Sequence, residues 1–558
     1  MEFLNLLKKE SQELDRRLLI AGAIAGIINT LLIFVLTTAA DRIADGRTAY
    51  RELAMVLVCL VGFWWSKGYL LTRSTRVIEE IVYNIRLRIA EKVRRTDLRA
   101  FERMDRASLY NAISSHTIVI SRASTILVSA ATSLVLLACA FLVIFLQSST
   151  AFLLLVGALG LVIFTLFSQR TQLLDALKSI AQQDNVFVAR FGDLLDGFKE
   201  LKMDAAKSRD FVESALCPAA AKARELRTTG GLAVNKSVLV ASSALFVLLS
   251  AVVFLLPVFA PGDAPKLVFI ATLIVFIIGP MSEVVFSFST LTDVNTSIAE
   301  IYRIEEKLDS AFEMGSHDDL VATPAPTRFE KIRCEGMTFA YHNEKGESAF
   351  SLEPFDFELT PGEIVFITGG NGSGKSTFLK VLAGLYPSDA GAITLDGSPV
   401  DHHLRPAYRG LYAPIFTDYH LFETLYGSHH IDETKVTEWL QRVDLLHKTS
   451  LDGRRITNTA LSTGQRKRLA LVLSLLEEKP ILLLDEWAAE QDPIFRRKFY
   501  REILPELRAL GKTVVAVSHD DDHYEVADRV LKMQYGKFVP VVEPEPPKKS
   551  GGSGRKKT

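Results

Sequence analysis

The first 290 residues contain six apolar runs, at about 18–39, 53–71, 123–146, 151–168, 237–259 and 266–288. Each is close to the ~20 residues that a membrane-spanning helix needs. Six such runs with so few internal charges are hard to pack as core helices of a soluble fold, so the sequence predicts a six-span α-helical membrane region. No further run of this kind follows it. Composition agrees, because 48% of the 558 residues are apolar and mean hydropathy is positive, which is high for a soluble protein.

Charge then orients the spans. Residues 72–122 carry eleven Lys or Arg and 169–236 a similar number, whereas "QSST" and "PVFAPGDAP" are short and nearly uncharged. By the positive-inside rule the long loops and both termini are expected in the cytoplasm. The loops keep helical spacing, as at Val77, Ile81, Ile85, Ile89 and Val93, so the spanning helices are expected to continue beyond the bilayer. Their basic residues read as a solvated helix face before they read as a lipid-headgroup patch. The formal net charge of −1 gives no sign of a nucleic-acid partner.

Cys59, Cys139, Cys217 and Cys334 share no metal-site spacing and read as buried thiols. The start, "MEFLNLLKKESQELDRR", is polar and amphipathic, and no small-residue cleavage site follows the first apolar run, so that run reads as a retained span.

Beyond the sixth run an amphipathic helix is expected from Ser289 to Ser310. The segment "EMGSHDDLVATPAPT" reads as a linker, and short β-rich runs such as "GEIVFIT" and "KTVVAVS" then alternate with helical stretches, the pattern of a parallel α/β sheet. The expected division is a membrane domain over 1–310, a linker over 311–327, an α/β domain over 328–540 and a low-complexity, disordered tail over 541–558.

Directly after the strand "EIVFIT" stands "GGNGSGKST": Gly369, Gly370, Asn371, Gly372, Ser373, Gly374, Lys375, Ser376 and Thr377, with a helical segment following. This is the phosphate-binding loop pattern. Glycines let backbone N–H groups turn onto phosphate oxygens, Lys375 reaches the β/γ-phosphates, and Ser376 is suited to Mg²⁺. Such a site also needs a carboxylate for the metal shell and a group to position the attacking water. "ILLLDE" offers Asp485 for the first role and Glu486 for the second; the bland alternative is that Glu486 caps the helix that follows.

With "LSTGQRKRLAL", Leu461 to Leu471, the whole chain resembles an ATP-binding-cassette exporter half-transporter, in which a six-span type IV helical domain is fused to one nucleotide-binding domain. The resemblance implies ATP and Mg²⁺ as ligands. It also implies a homodimer, in which Leu461, Ser462, Thr463, Gly464 and Gln465 of one chain hold the γ-phosphate bound by the other. Thr463 stands where the family usually has glycine. By the same resemblance Tyr341 stacks on adenine, Asp492 acts across the dimer, and His519 is the switch histidine contacting the γ-phosphate. Thr417 replaces the family's usual glutamine in "YAPIFTDYHLF", so Thr417, the adjacent Asp418 or a water is expected at the metal. "DDDHYE" has no ligand spacing and reads as a solvated acidic turn. Coupling helices are implied near 101–110 and 197–207, docking around Thr417 to Phe422.

The Thr417 replacement, "LSTGQRKRLAL" and "DEWAAEQDP" together resemble the bacterial cyclic-peptide and siderophore exporters, those of syringomycin, pyoverdine precursor and microcin. Trp487 stands where the wider family commonly has proline. The implied activity is ATP-driven export of such a molecule across the bacterial inner membrane. A lipid or lipopeptide flippase, an ATP-gated regulatory function and import are the alternatives. For cargo contact the sequence offers Glu283, in the sixth run after Gly279–Pro280, and Asn29 in the first. Glu283 is either a functional intramembrane carboxylate or a solvated group near the cytoplasmic boundary; Asn29 either faces the interior or bonds to a neighbouring helix.

Overall fold

The computed structural model describes residues 6, 16–44, 46–312, 326–342, 348–427 and 431–540. The linker and tail expected at 311–327 and 541–558 therefore lie largely outside the described residues. The chain divides into two compact units: 1–89 with 106–304, and 90–105 with 305–558.

The first unit is helical. Its long helices are α1 (Arg16–Ala44), α2 (Tyr50–Arg94), α3 (Thr117–Gln147), α4 (Ser149–Asp196), α5 (Cys217–Phe259) and α6 (Leu267–Ser310), with α2 and α6 running on into the second unit. Among the described residues four helices are long and apolar enough to cross a membrane, at Ile20–Ala40, Tyr50–Arg94, Val128–Gln147 and Leu267–Ser310, and a shorter apolar stretch covers Phe246–Phe259. The run expected at 151–168 lies in α4, where several side chains are outside the description.

The helical spacing in the first loop is real, since Val77, Ile81, Ile85 and Ile89 form one buried stripe along α2. α6 passes through Pro280 without breaking and continues to Ser310. The cysteines do not all follow expectation. Cys59 and Cys334 are buried, but Cys217 is exposed, because it opens α5 in the polar region rather than in an apolar run.

Among the described residues the second unit holds three sheets, the smallest a two-stranded ribbon of Leu451–Asp452 and Arg455–Ile456. An antiparallel sheet pairs β2 (Ser348–Leu359) with β1 (Ile332–His342) and β1 with β4 (Ala390–Leu395). The largest has six strands: β3 (Ile364–Thr368), β5 (Tyr412–Ile415), β6 (Ile481–Asp485), β7 (Thr513–Val517), β8 (Arg529–Gln534) and β9 (Lys537–Val539). Their order is β9-β8-β3-β7-β6-β5, parallel except for β9. Central strands covered on both faces are apolar through their middle positions: Val365, Ile367, Leu483 and Val515 face one core cluster, while Ile364, Phe366, Leu482 and Val514 face the other.

Strand register positions the site. β7 lies between β3 and β6 with Val517 opposite both Ile367 and Asp485, so the three loops leaving β3, β6 and β7 emerge together at the carboxyl edge. That edge is where open α/β sheets bind ligands.

Candidate active site

The loop after β3 has a shape that only glycine tolerates. Gly369, Gly372 and Gly374 have φ of 146°, 74° and 104°. A Cβ on Gly369 would come within 2.2 Å of the Met533 carbonyl oxygen, and one on Gly374 within 2.7 Å of Phe350. Helix α7 (Lys375–Leu382) starts directly from this loop, leaving its first N–H groups aimed at whatever the loop encloses. Lys375, 5% exposed, donates from Nζ to the carbonyls of Gly369 and Gly370, each at 3.0 Å. Burial lowers its pKa, against the pull of Glu486 and Asp485. The Ser373 hydroxyl is buried without a hydrogen-bond partner among the described residues.

Asp485 ends β6 and is 2% exposed. Thr417 donates to its Oδ2 at 3.1 Å, but Oδ1 has no partner among the described residues. Burial raises the pKa of this carboxyl, and the neighbouring hydroxyls of Ser376 and Thr417 pull it back. An orphaned, buried carboxylate oxygen flanked by two hydroxyls is an oxygen donor set that suits Mg²⁺. Of the two residues expected here, Thr417 reaches Asp485; Asp418 makes no such contact.

Glu486 follows with φ 50°, in the left-handed region, which costs a non-glycine residue about 1–3 kcal/mol. Its side chain makes no cap on the short helix Trp487–Glu490, so the capping alternative fails. Instead Oε1 lies 3.4 Å from His519 Nε2 and 3.9 Å from Lys375 Nζ. Three residues from three different loops thus meet at one carboxylate oxygen.

The sequence reading overlooked the residue that holds this strained turn. Lys467, 1% exposed, donates from Nζ to the Glu486 carbonyl at 3.1 Å and pairs with Glu490 at 3.3 Å. Trp487, also 1% exposed, packs 4.4 Å from the Phe499 ring and donates from Nε1 to the Lys467 carbonyl at 2.8 Å. Tryptophan and lysine form one clamp. Its signal was present in the sequence: Lys467 is four and eight residues from Leu471 and Leu475 on the buried stripe of α8 (Thr463–Leu476).

Ser462 caps α8 in a reciprocal pair with Gln465. Thr463 opens the helix, and a Cβ on Gly464 would come within 2.9 Å of the Glu490 carbonyl oxygen. Asp492 accepts from the N–H groups of Ile494 and Phe495 and from Arg468 at 2.6 Å, contacts that hold its pKa low, the Phe495 N–H most of all. Leu461 is half-buried beside this second core cluster. In "DDDHYE" His523 stacks on Tyr500 at 4.5 Å, and the described residues include no metal-ligand group of three or more.

Tyr341 sits edge-on to Phe339 and Tyr386, and its hydroxyl bonds that of Tyr386 at 3.2 Å. Against this face lies the short helix Leu98–Arg103, which belongs to the same unit. Glu102 hydrogen-bonds Tyr386 and pairs with Lys380 at 2.8 Å, and Arg99 reaches the Ala340 carbonyl at 2.6 Å. Residues 106–110 belong to a separate helix, Arg106–Asn111, in the other unit; for residues 101–103 the expected docking around Thr417 to Phe422 is corrected. The helix runs from 98 to 103 and finds its charge partners beside Tyr341. The second expected segment forms two short helices, Phe198–Met203 and Ala205–Phe211, in the other unit. Asn29 and Glu283 both line one cavity in that unit, facing its interior.

The ABC transporter family pattern matches residues 352–489. The ATP-binding protein SyrD of Pseudomonas syringae pv. syringae is 34% identical over 364 residues, 63% of each chain. An ATP-dependent lipid A-core flippase of Saccharophagus degradans is 29% identical, covering 51% of this chain and 49% of its own length. The alignments thus span less than two thirds of either relative. The thiamine import ATP-binding protein ThiQ of Brucella suis biovar 1 is 34% identical over 208 residues, 36% of this chain but 83% of its own. The fold matches a bacterial Atm1-family ABC exporter solved with ATP bound, at TM-score 0.75 and 18% identity over 95% of both chains. The chain belongs to the ABC transporter family, and its fold is that of the Atm1-family structure.

Proposed function

We propose that the protein is an ATP-driven exporter of a peptide or siderophore-like molecule, working by alternating access as a homodimer in the bacterial inner membrane, with its α/β unit in the cytoplasm. The observation that carries this reading is the meeting of Glu486, Lys375 and His519 beside the glycine loop. Lys375, already desolvated, needs only to exchange two carbonyls for phosphate oxygens. Glu486 is the general base that takes a proton from the attacking water, and His519 holds the γ-phosphate. Ser376, Asp485 and Thr417 would hold Mg²⁺, which when bound neutralises phosphate charge. Tyr341 offers a ring for the adenine base.

Ser462 and its neighbours complete the partner's site. ATP held between two chains then favours closure, and hydrolysis releases it. The peptide-type cargo is what the resemblance of Thr417, "LSTGQRKRLAL" and "DEWAAEQDP" to the cyclic-peptide exporters implies; the flippase relative supports a lipid cargo instead.

The test of the base is Glu486→Gln in purified protein. Hydrolysis should fall by roughly 10²–10⁴-fold while ATP still binds. Unchanged steady-state hydrolysis would remove Glu486 from its role. For the cargo, ATPase activity is measured in lipid nanodiscs: stimulation by cyclic peptides supports export, and stimulation by phospholipid alone supports the flippase.

A further inference from the structure

Within the membrane-region unit, α1, α2, α3 and α6 enclose a cavity of about 240 Å³. Its wall carries both signs of charge inside apolar runs, Lys67 from α2 and Glu283 from α6. Among the described residues no ion pair joins them. The Lys67 ammonium stands 5.3 Å over the Phe63 ring, and Glu283 accepts from the hydroxyl of the buried Ser133. Asn29 and Thr132 line the same space.

Two further features shape it. A Cβ on Gly26 would come within 2.7 Å of Val135, so glycine lets α1 close on α3 at one wall. Pro280 inside α6 has no N–H, which deprives the carbonyl of Phe276, another lining residue, of its helical donor. Depth follows from helix rise. Ser133 is five residues into the apolar stretch from Val128 and Asn29 nine into that from Ile20, roughly 8 and 14 Å from the ends that the basic loops place in the cytoplasm.

Charged groups at this depth are costly unless they face an interior and find partners. An internal ion pair would satisfy both at once, but here each is left to recruit a counter-charge from a guest. We infer that this cavity is the cargo-binding site and that it takes a zwitterionic segment of a peptide. Glu283 receives an ammonium or guanidinium, Lys67 a carboxylate, and Asn29, Thr132 and the Phe276 carbonyl the amides. The volume lies below the ~300–1,000 Å³ usual for whole ligands, so one chain receives a residue-sized portion of the cargo. A phosphate headgroup would meet Lys67 but be repelled by Glu283. This inference rests on the export reading and narrows its cargo class.

The experiment measures binding of a fluorescent cyclic hexapeptide with one Arg and one Asp to the full-length protein in nanodiscs without nucleotide. Its analogues carry citrulline for Arg or Asn for Asp. The wild type should prefer the parent peptide over either analogue by about tenfold or more. Glu283→Gln should erase the preference for Arg over citrulline and keep that for Asp over Asn; Lys67→Gln should do the reverse. A wild type that does not discriminate, or a preference that survives its own variant, overturns the inference. The wild-type comparison needs no variant, so poor folding of one leaves the test intact. Because binding is read without ATP, failure of the export reading would show separately, as absent ATP-driven uptake despite peptide binding.

Discussion

Lys467 and Trp487 give the acid pair its geometry at the scale of single residues. Glu486 holds a left-handed backbone only because its surroundings impose it, and the buried Lys467 ammonium on its carbonyl is the most direct restraint. Lys467 is thus a positioning residue. Lys467→Met should lower kcat for ATP by roughly 10²-fold with KM nearly unchanged, and Lys467→Gln, whose amide still donates, should recover part of it. A change confined to KM would contradict this role. Trp487→Phe keeps most of the packing and loses one buried hydrogen bond, so we expect about 1 kcal/mol of destabilisation, read by thermal or chemical unfolding of the full chain. A loss well above that would mean the ring's shape matters more than its N–H. Asp485 and Glu486 were legible from sequence because strand, glycine loop and acid pair stand in a fixed order. Lys467 was legible only as a position on the stripe of Leu471 and Leu475, because a lysine there reads as solvated until the stripe's partner is known.

At the scale of elements, register does most of the work. β7 between β3 and β6 turns three distant segments into one site, and the sequence carried that pattern as short unbroken apolar strands. The long helices were equally legible, because their buried residues keep the helical period beyond the apolar runs. Which surface the short helix Leu98–Arg103 meets was not legible. That choice depends on Glu102 meeting Lys380 and Tyr386, 278 and 284 residues further along the chain, and these residues mark no local pattern. Burial and the Glu102 hydrogen bond both push the Tyr386 phenol pKa up, so it stays a neutral donor at any physiological pH. Glu102→Gln removes a charge-assisted contact of about 1.5–3 kcal/mol. We expect basal hydrolysis to persist while its stimulation by cargo weakens, because Glu102 ties this helix to the face that carries Tyr341. Full stimulation in the variant would deny the helix a coupling role.

For the molecule as a whole, the ATP site was legible almost residue by residue, whereas the proposed cargo site was only hinted at. Asn29 and Glu283 stood out as polar groups in apolar runs, and Lys67, in the second run, follows the same logic but drew no notice. Only folding shows that the three share one cavity. The central claim is that hydrolysis at Glu486 drives peptide outward, and ATP-dependent uptake of cyclic peptides into inside-out membrane vesicles tests it most directly. The account predicts uptake with the wild type and ATP, none without ATP, and none with Glu486→Gln. Equal uptake by wild type and Glu486→Gln would contradict it.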